Sequence, residues 1–226
     1  MRPVVGLMAK KIGMSRVMDN YGDVVAVTLL SVEKQQVTKL ISQDKHGYTG
    51  YQVGYFEKAE KNLNRPDVFR LRKSGLDTLL ARFCEFRTDK LRPNNKKNGQ
   101  EESQNSLTVG QLLSASDLDG VTHLDVSGLT KGRGFQGSTK RWNSKIAPMS
   151  HGSRYHRRTG SLGNCTTPGR VMPGKKMPGQ YGYTRKTLKS LAVFVIDKEK
   201  NLIAVKGALP GNRGSTLEVR VAGCCL

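Results

Sequence analysis

The apolar positions of this 226-residue chain fall into short runs that alternate with polar ones, the period of half-buried strands. Val4–Ala9 and Met14–Met18 open the series. The cluster Asp19-Asn20-Tyr21-Gly22-Asp23 predicts a turn, and the β-branched run Val24–Val32 follows it. Gln36–Ile41, Tyr51–Tyr55 and Val121–Val126 continue the pattern. Near the end, Leu191, Val193 and Val195 stand at period two within Leu188–Ile196. The polar stretch Asp197-Lys198-Glu199-Lys200-Asn201 then predicts a hairpin with Leu202–Val205, and Leu217–Val221 is a last strand. One region differs. Asn64-Arg65-Pro66-Asp67 has the form of a helix start, and Leu76, Leu79, Leu80 and Phe83 stand at helical spacing. Pro93 to Glu102 is polar throughout and predicts a surface loop.

Regularly spaced short strands favour a mainly β fold over a parallel α/β sheet. The expectation is a β-barrel closed by the first and last strands, with a small mixed α/β insertion over 56–115. The barrel would take residues 1–127 and 187–226. Residues 128–186 would form a long basic loop.

That loop is where the strand pattern stops. Within 131–186 the large aliphatic and Phe residues are only Phe135, Ile146, Leu162 and Val171. Such a segment cannot bury a core of its own, and it is far longer than an ordinary connection. Its glycines lie irregularly among Trp142, Tyr155, Tyr181, Tyr183 and histidines, unlike a Gly/Ser linker repeat. It reads as a segment that orders on a partner.

Charge says which partner. The net charge is +20. No Asp or Glu occurs from Val126 to Ile196, and 131–186 holds 13 of the 38 Lys and Arg residues. A segment this cationic calls for a polyanion. An anionic membrane fits poorly, because the basic window has no amphipathic stripe. No run approaches the ~20 apolar residues of a membrane span, and no signal-peptide pattern is visible. Cys84, Cys165, Cys224 and Cys225 form no Cys-x-x-Cys pair, so a reducing compartment is the simpler reading.

Several motifs suggest other chemistry. Gly132-Arg133-Gly134-Phe135-Gln136-Gly137 is a literal G-x-G-x-x-G, and Gly169 to Lys176 is one residue short of a phosphate-binding loop. The first is followed by Ser138-Thr139-Lys140-Arg141-Trp142-Asn143, not by an apolar helix, and no acid for a ribose occurs before Asp197. The second lacks the magnesium-binding Ser/Thr and has Pro173 in the cradle. A nucleotide-handling enzyme is thus the alternative reading, and a weaker one. His151, His156 and Cys165 lack metal-ligand spacing, so no metal and no cofactor are expected. The same residues serve RNA better. Lys131, Arg133, Lys140, Arg141, Arg154, Arg157, Arg158, Arg170, Lys175 and Lys176 would neutralise phosphates. Trp142, Tyr155, His151 and His156 would stack on bases. Gly132, Gly134, Gly163 and Gly174 would let the backbone come close to RNA.

Taken in order, the motifs resemble one family. Leu118, then Asp125-Val126-Ser127-Gly128-Leu129-Thr130-Lys131-Gly132-Arg133-Gly134-Phe135-Gln136-Gly137, then Arg141-Trp142-Asn143 are similar to the signature of the large-subunit ribosomal protein L-three family. So are Ser150-His151-Gly152-Ser153, Gly160-Ser161-Leu162-Gly163, Thr167-Pro168-Gly169-Arg170-Val171 and Gly174-Lys175-Lys176-Met177-Pro178-Gly179-Gln180. Gly6 to Met14 and Val205 to Gly211 extend the match to both sides of the loop. The resemblance implies a translation-protein type β-barrel and an extension threading through large-subunit rRNA towards the peptidyl-transferase centre. It implies a structural protein active in early subunit assembly, not an enzyme, whose partners are rRNA and neighbouring ribosomal proteins. No membrane and no small-molecule substrate are implied. The tip nearest the catalytic centre would be Leu162, Gly163, Asn164, Cys165 and Thr166. Bacterial relatives commonly carry a methylated Gln there; this chain has none, so that modification is not expected. The compact length resembles the bacterial or organellar form, placing the protein on a cytoplasmic ribosome of a bacterium or on an organellar ribosome.

Overall fold

A computed structural model describes residues 6–19, 21–88 and 107–222. The predicted surface loop from Pro93 to Glu102, the first two residues of the predicted strand Val4–Ala9, and Cys224 and Cys225 lie outside them. The chain divides into two units, one of residues 1–128 with 186–226 and one of residues 129–185.

The first unit is built on a closed barrel. Its strands are β1 (Gly6–Met18), β2 (Val24–Ser31), β7 (His123–Leu129), β10 (Arg185–Asp197), β11 (Leu202–Lys206) and β12 (Thr216–Val221), in the order β1-β12-β7-β10-β11-β2. The first and last strands do pair, Gly6 with Arg220 through Lys10 with Thr216. Closure leaves no open sheet edge. The inward positions form one core that includes Leu7, Leu30, Leu124, Val126, Ile203, Leu217 and Val219.

Val4–Ala9 and Met14–Met18 do not form two strands. One 13-residue strand, β1, runs from Gly6 to Met18. Its register shifts between Lys11 and Gly13, where it passes from β12 to β2. An extra residue at such a point bends the strand and adds twist, which a barrel corner requires. Lys11 there is buried, and its Nζ donates to the carbonyls of Leu209 (2.7 Å) and Gly211 (3.2 Å).

A second sheet has the order β5-β4-β3-β6, from β3 (Gln35–Ile41), β4 (Gly50–Glu57), β5 (Leu80–Arg87) and β6 (Leu112–Leu113). It therefore begins well before residue 56: the runs around Gln36–Ile41 and Tyr51–Tyr55 belong to it and not to the barrel. Two side chains tie it to β1. Tyr51 Oη accepts the Gly6 N–H (2.9 Å) and donates to the Gly6 carbonyl (2.8 Å). The Gln35 amide brackets Met8 in the same way, at 2.9 and 3.1 Å. Each side chain supplies the donor and acceptor that a paired strand would have supplied. Gly6 has no alternative residue here, because a Cβ would lie 2.6 Å from both the Phe86 ring and the Val219 carbonyl oxygen.

Helices are few. α1 (Gln43–His46) is a single turn between β3 and β4, and α2 (Arg65–Lys73) starts at Asn64 with Pro66 in its first turn. The helical reading of Leu76, Leu79, Leu80 and Phe83 is overturned. Gly75, at φ +73°, follows the helix end, and Leu80 opens strand β5. Leu76 and Leu80 meet Leu71 in a small core, with Leu79 and Phe83 packed against it.

Candidate nucleic-acid interface

The second unit, residues 129–185, is an arm with a short stem. At its base the Thr130 N–H donates to the Thr184 carbonyl (3.0 Å), and the Thr184 N–H returns to Thr130 Oγ1 (3.2 Å). The Arg133 N–H then meets the Tyr181 carbonyl at 2.9 Å. β8 (Gly134–Gln136) and β9 (Gly179–Tyr181) continue the stem as an antiparallel pair. The limbs approach so closely that a Cβ on Gly182, at φ +75°, would lie 2.1 Å from the Lys131 carbonyl oxygen.

Beyond β8 the chain turns through a five-residue helix, α3 (Ser138–Trp142), capped by Asn143 in the left-handed conformation. Arg141 and Trp142 fasten it. Arg141 Nη1 donates to the Met177 carbonyl at 2.9 Å and Trp142 Nε1 to the same oxygen at 2.8 Å. The guanidinium lies 4.8 Å from the Trp142 ring centroid. Thr159 Oγ1 donates to the buried Ser138 hydroxyl (3.2 Å), and the Ala147 N–H to the His156 carbonyl (3.0 Å). All these bonds are neutral or end on a backbone carbonyl, as they must in a segment without carboxylates.

This geometry separates the sequence-predicted site residues into two sets. Arg141 is half-buried and committed to the stem, and Trp142 keeps 40% of its surface exposed while its N–H is engaged. The structure thus gives these two an internal role in addition to any contact outside the chain. Lys131, Arg133, Lys140, Arg154, Arg157, Arg158, Arg170, Lys175 and Lys176 are exposed, as are His151, Tyr155 and His156. Gly134 and Gly174 have positive φ and open space where a side chain would stand. Every residue from Ser161 to Lys176 is exposed, including Leu162, Gly163, Asn164, Cys165 and Thr166. Of the 12 Lys and Arg residues in 129–185, all but Arg141 are exposed.

The glycine motifs resolve against nucleotide chemistry. Gly132 to Gly137 spans the start of the stem and leads into one short polar helix, not the long helix whose dipole would hold a pyrophosphate. Gly169 to Lys176 precedes no helix at all. Among the described residues there is no His/Cys/Asp/Glu cluster suited to a metal, and no helix long and apolar enough to cross a membrane.

Sequence reasoning missed the stem. β8 and β9 are three residues each and lie more than 40 positions apart, and the key acceptor, the Met177 carbonyl, is a backbone atom with no sequence signature. Gly179 was the available hint. A Cβ there would stand 2.5 Å from Arg141 Nη1, so the fastening requires glycine.

A closed β-barrel carrying a cationic, acid-free arm defines a protein of the polyanion-binding class. The profile of the ribosomal protein L3 family matches residues 2–207. The chain is 40% identical to the large ribosomal subunit protein uL3 of Synechococcus sp. (strain CC9311) over 218 residues, 96% of this chain and 94% of that one. It is equally 40% identical to uL3 of Prochlorococcus marinus (strain MIT 9515) over 216 residues, covering 96% and 93%. The chain belongs to the ribosomal protein L3 family, whose members are structural proteins and not enzymes.

Proposed function

We propose that this protein is a structural component of the large ribosomal subunit, in a bacterium or an organelle, and that its arm holds large-subunit rRNA. The observation that carries the reading is the arm itself: 12 Lys and Arg residues, no carboxylate, and a tip from Ser161 to Lys176 with every residue exposed. Alone, such a segment repels itself; among phosphates its charges are neutralised and counterions are released. Guanidinium groups of Arg133, Arg154, Arg157, Arg158 and Arg170 match phosphate geometry, and Lys131, Lys140, Lys175 and Lys176 add point charges. Tyr155, His151, His156 and the open part of Trp142 offer planar faces to unpaired bases. Residues 162–166 form the tip that reaches towards the peptidyl-transferase centre. Neutralisation of the stem-ordered arm by rRNA ties the protein to early subunit assembly, and neighbouring ribosomal proteins complete its partners.

Binding to large-subunit rRNA, followed across a salt series, tests this. Roughly 8–10 phosphate contacts give a log–log slope of about −6 to −7. A slope near zero, or failure to co-sediment with large subunits after a moderate salt wash, overturns it.

A further inference from the structure

Helix α2 and the segment before it carry a cationic face with an open aromatic ring, which the arm does not explain. Helix α2 buries Val68 and Leu71, yet Phe69 between them is 73% exposed. A single exposed apolar residue is ordinary on a protein surface. Phe69 is not placed like one. It borders an open groove of about 450 Å³ together with Lys61, Arg65, Arg72 and one acid, Glu60, with Leu63 and Val68 also lining it.

The charge around the groove is one-sided. Residues 58–73 hold Lys58, Lys61, Arg65, Arg70, Arg72 and Lys73 against Glu60 and Asp67. Both acids are engaged: Arg72 pairs with Glu60 at 2.9 Å and Arg70 with Asp67 at 3.3 Å. Among the described residues, Lys58, Lys61, Arg65 and Lys73 have no carboxylate partner. The groove thus combines surplus positive charge with an uncovered ring.

We propose that this groove is a second RNA site, in which one unpaired base stacks on Phe69 while Lys61 and Arg65 neutralise the adjoining phosphates. Stacking suits any base, since each has a π-face, and flanking cations track the backbone. A lipid surface fits less well. A nine-residue helix with one exposed large apolar residue lacks the apolar face that an interfacial helix inserts. An acidic protein partner would use the charges but gives no reason for an open groove beside the ring. The site lies outside residues 129–185, so it goes beyond the function proposed for the arm.

The test uses the full-length chain and transcribed large-subunit rRNA in filter binding across a salt series. Phe69→Ala weakens binding by about 5- to 150-fold, the range for loss of one stacked base, and Phe69→Trp restores it. Lys61→Gln with Arg65→Gln reduces the log–log salt slope by about 1.4. Matching thermal unfolding of the variants and the parent shows that the fold is intact. Unchanged affinity and slope in these variants overturns the proposal. If Arg157→Gln with Arg158→Gln still weakens binding in that case, the arm reading survives alone. Loss of a neighbouring protein from the subunit, with rRNA affinity unchanged, likewise overturns it in favour of a protein partner.

Discussion

Replacing Gly182 by alanine should open the stem of the arm. Gly182 sits at φ +75°, and an L-residue in that conformation costs about 1–2 kcal/mol. The added Cβ would also stand 2.1 Å from the Lys131 carbonyl oxygen and 3.0 Å from its carbon. Those are backbone atoms of the facing limb, so no rotamer change relieves the overlap. Overpacking of this kind costs about 1–3 kcal/mol more. The sum, about 2–5 kcal/mol, falls on the hydrogen bonds that join the limbs, among them Arg133 N–H to Tyr181 at 2.9 Å and Thr130 N–H to Thr184 at 3.0 Å. Peptide-resolved hydrogen exchange reads the opening directly. Even the low end of the range speeds exchange at Thr130 and Arg133 by roughly 30-fold. Gly137→Ala is the control: its φ is −66°, its missing Cβ faces open space, and as a cap position it costs no more than about 1 kcal/mol. Equal exchange in the Gly182 variant and the parent, or no protection of these amides in the parent, would refute the reasoning.

Deleting 131–186 and bridging the ends with a short Gly-containing turn should leave a barrel that unfolds cooperatively, because β7 and β10 are neighbours in it and Ser127 and Thr187 already meet at 2.8 Å; a non-cooperative melt would count against this. Arg157→Gln with Arg158→Gln should weaken rRNA binding and make the log–log salt slope about 1.4 units shallower, with no change in melting temperature. Phe86→Ala removes a fully buried ring stacked 5.5 Å from Tyr51, and should cost about 3–5 kcal/mol, a fall of about 6–20 °C in melting temperature by calorimetry. Lys11→Met leaves the Leu209 and Gly211 carbonyls without their donor, and should cost about 2–3 kcal/mol in denaturant titration.

The barrel is readable because its signals are local: alternation in β7 and β12, apolar β-branched runs in β2 and β11, and in β10 a period of two over Leu191 and Val193 that a bulge breaks, so that Ile196 and not Val195 meets the core. β1 reads as two runs because Lys10, Lys11 and Gly13 interrupt its apolar pattern at the register shift, which is how a bulge looks in sequence. Sheet membership was not readable at all. Alternation in β3 and β4 suits either sheet, and the choice is made by Tyr51 and Gln35 reaching Gly6 and Met8 across 45 and 27 positions. Helical spacing over Leu76 to Phe83 misleads because Gly75, just past the end of α2 at φ +73°, stops the helix and β5 follows. At the arm, charge and exposure followed from composition. The stem did not, since it depends on backbone carbonyls and on glycines placed by their distant neighbours.

The same contrast explains how the arm is built. In the first unit, carboxylates are used in structure: Glu33 meets Lys10 at 3.0 Å, and the buried Glu218 pairs with Arg220. In the proposed rRNA role, a carboxylate in the arm would occupy a guanidinium meant for phosphate and would repel the phosphate as well. The arm therefore has to be ordered without ion pairs. It is ordered by the Met177 carbonyl, which accepts from Arg141 and Trp142 together, by Arg141 seated against Gly179, and by limbs that approach as closely as Gly182 permits. Arg141 is the one cation drawn inward, and its half-burial is the cost of the fastening. The remaining 11 stay exposed, so the bonds that shape the arm leave almost all of its positive charge open to the phosphates of the proposed rRNA site.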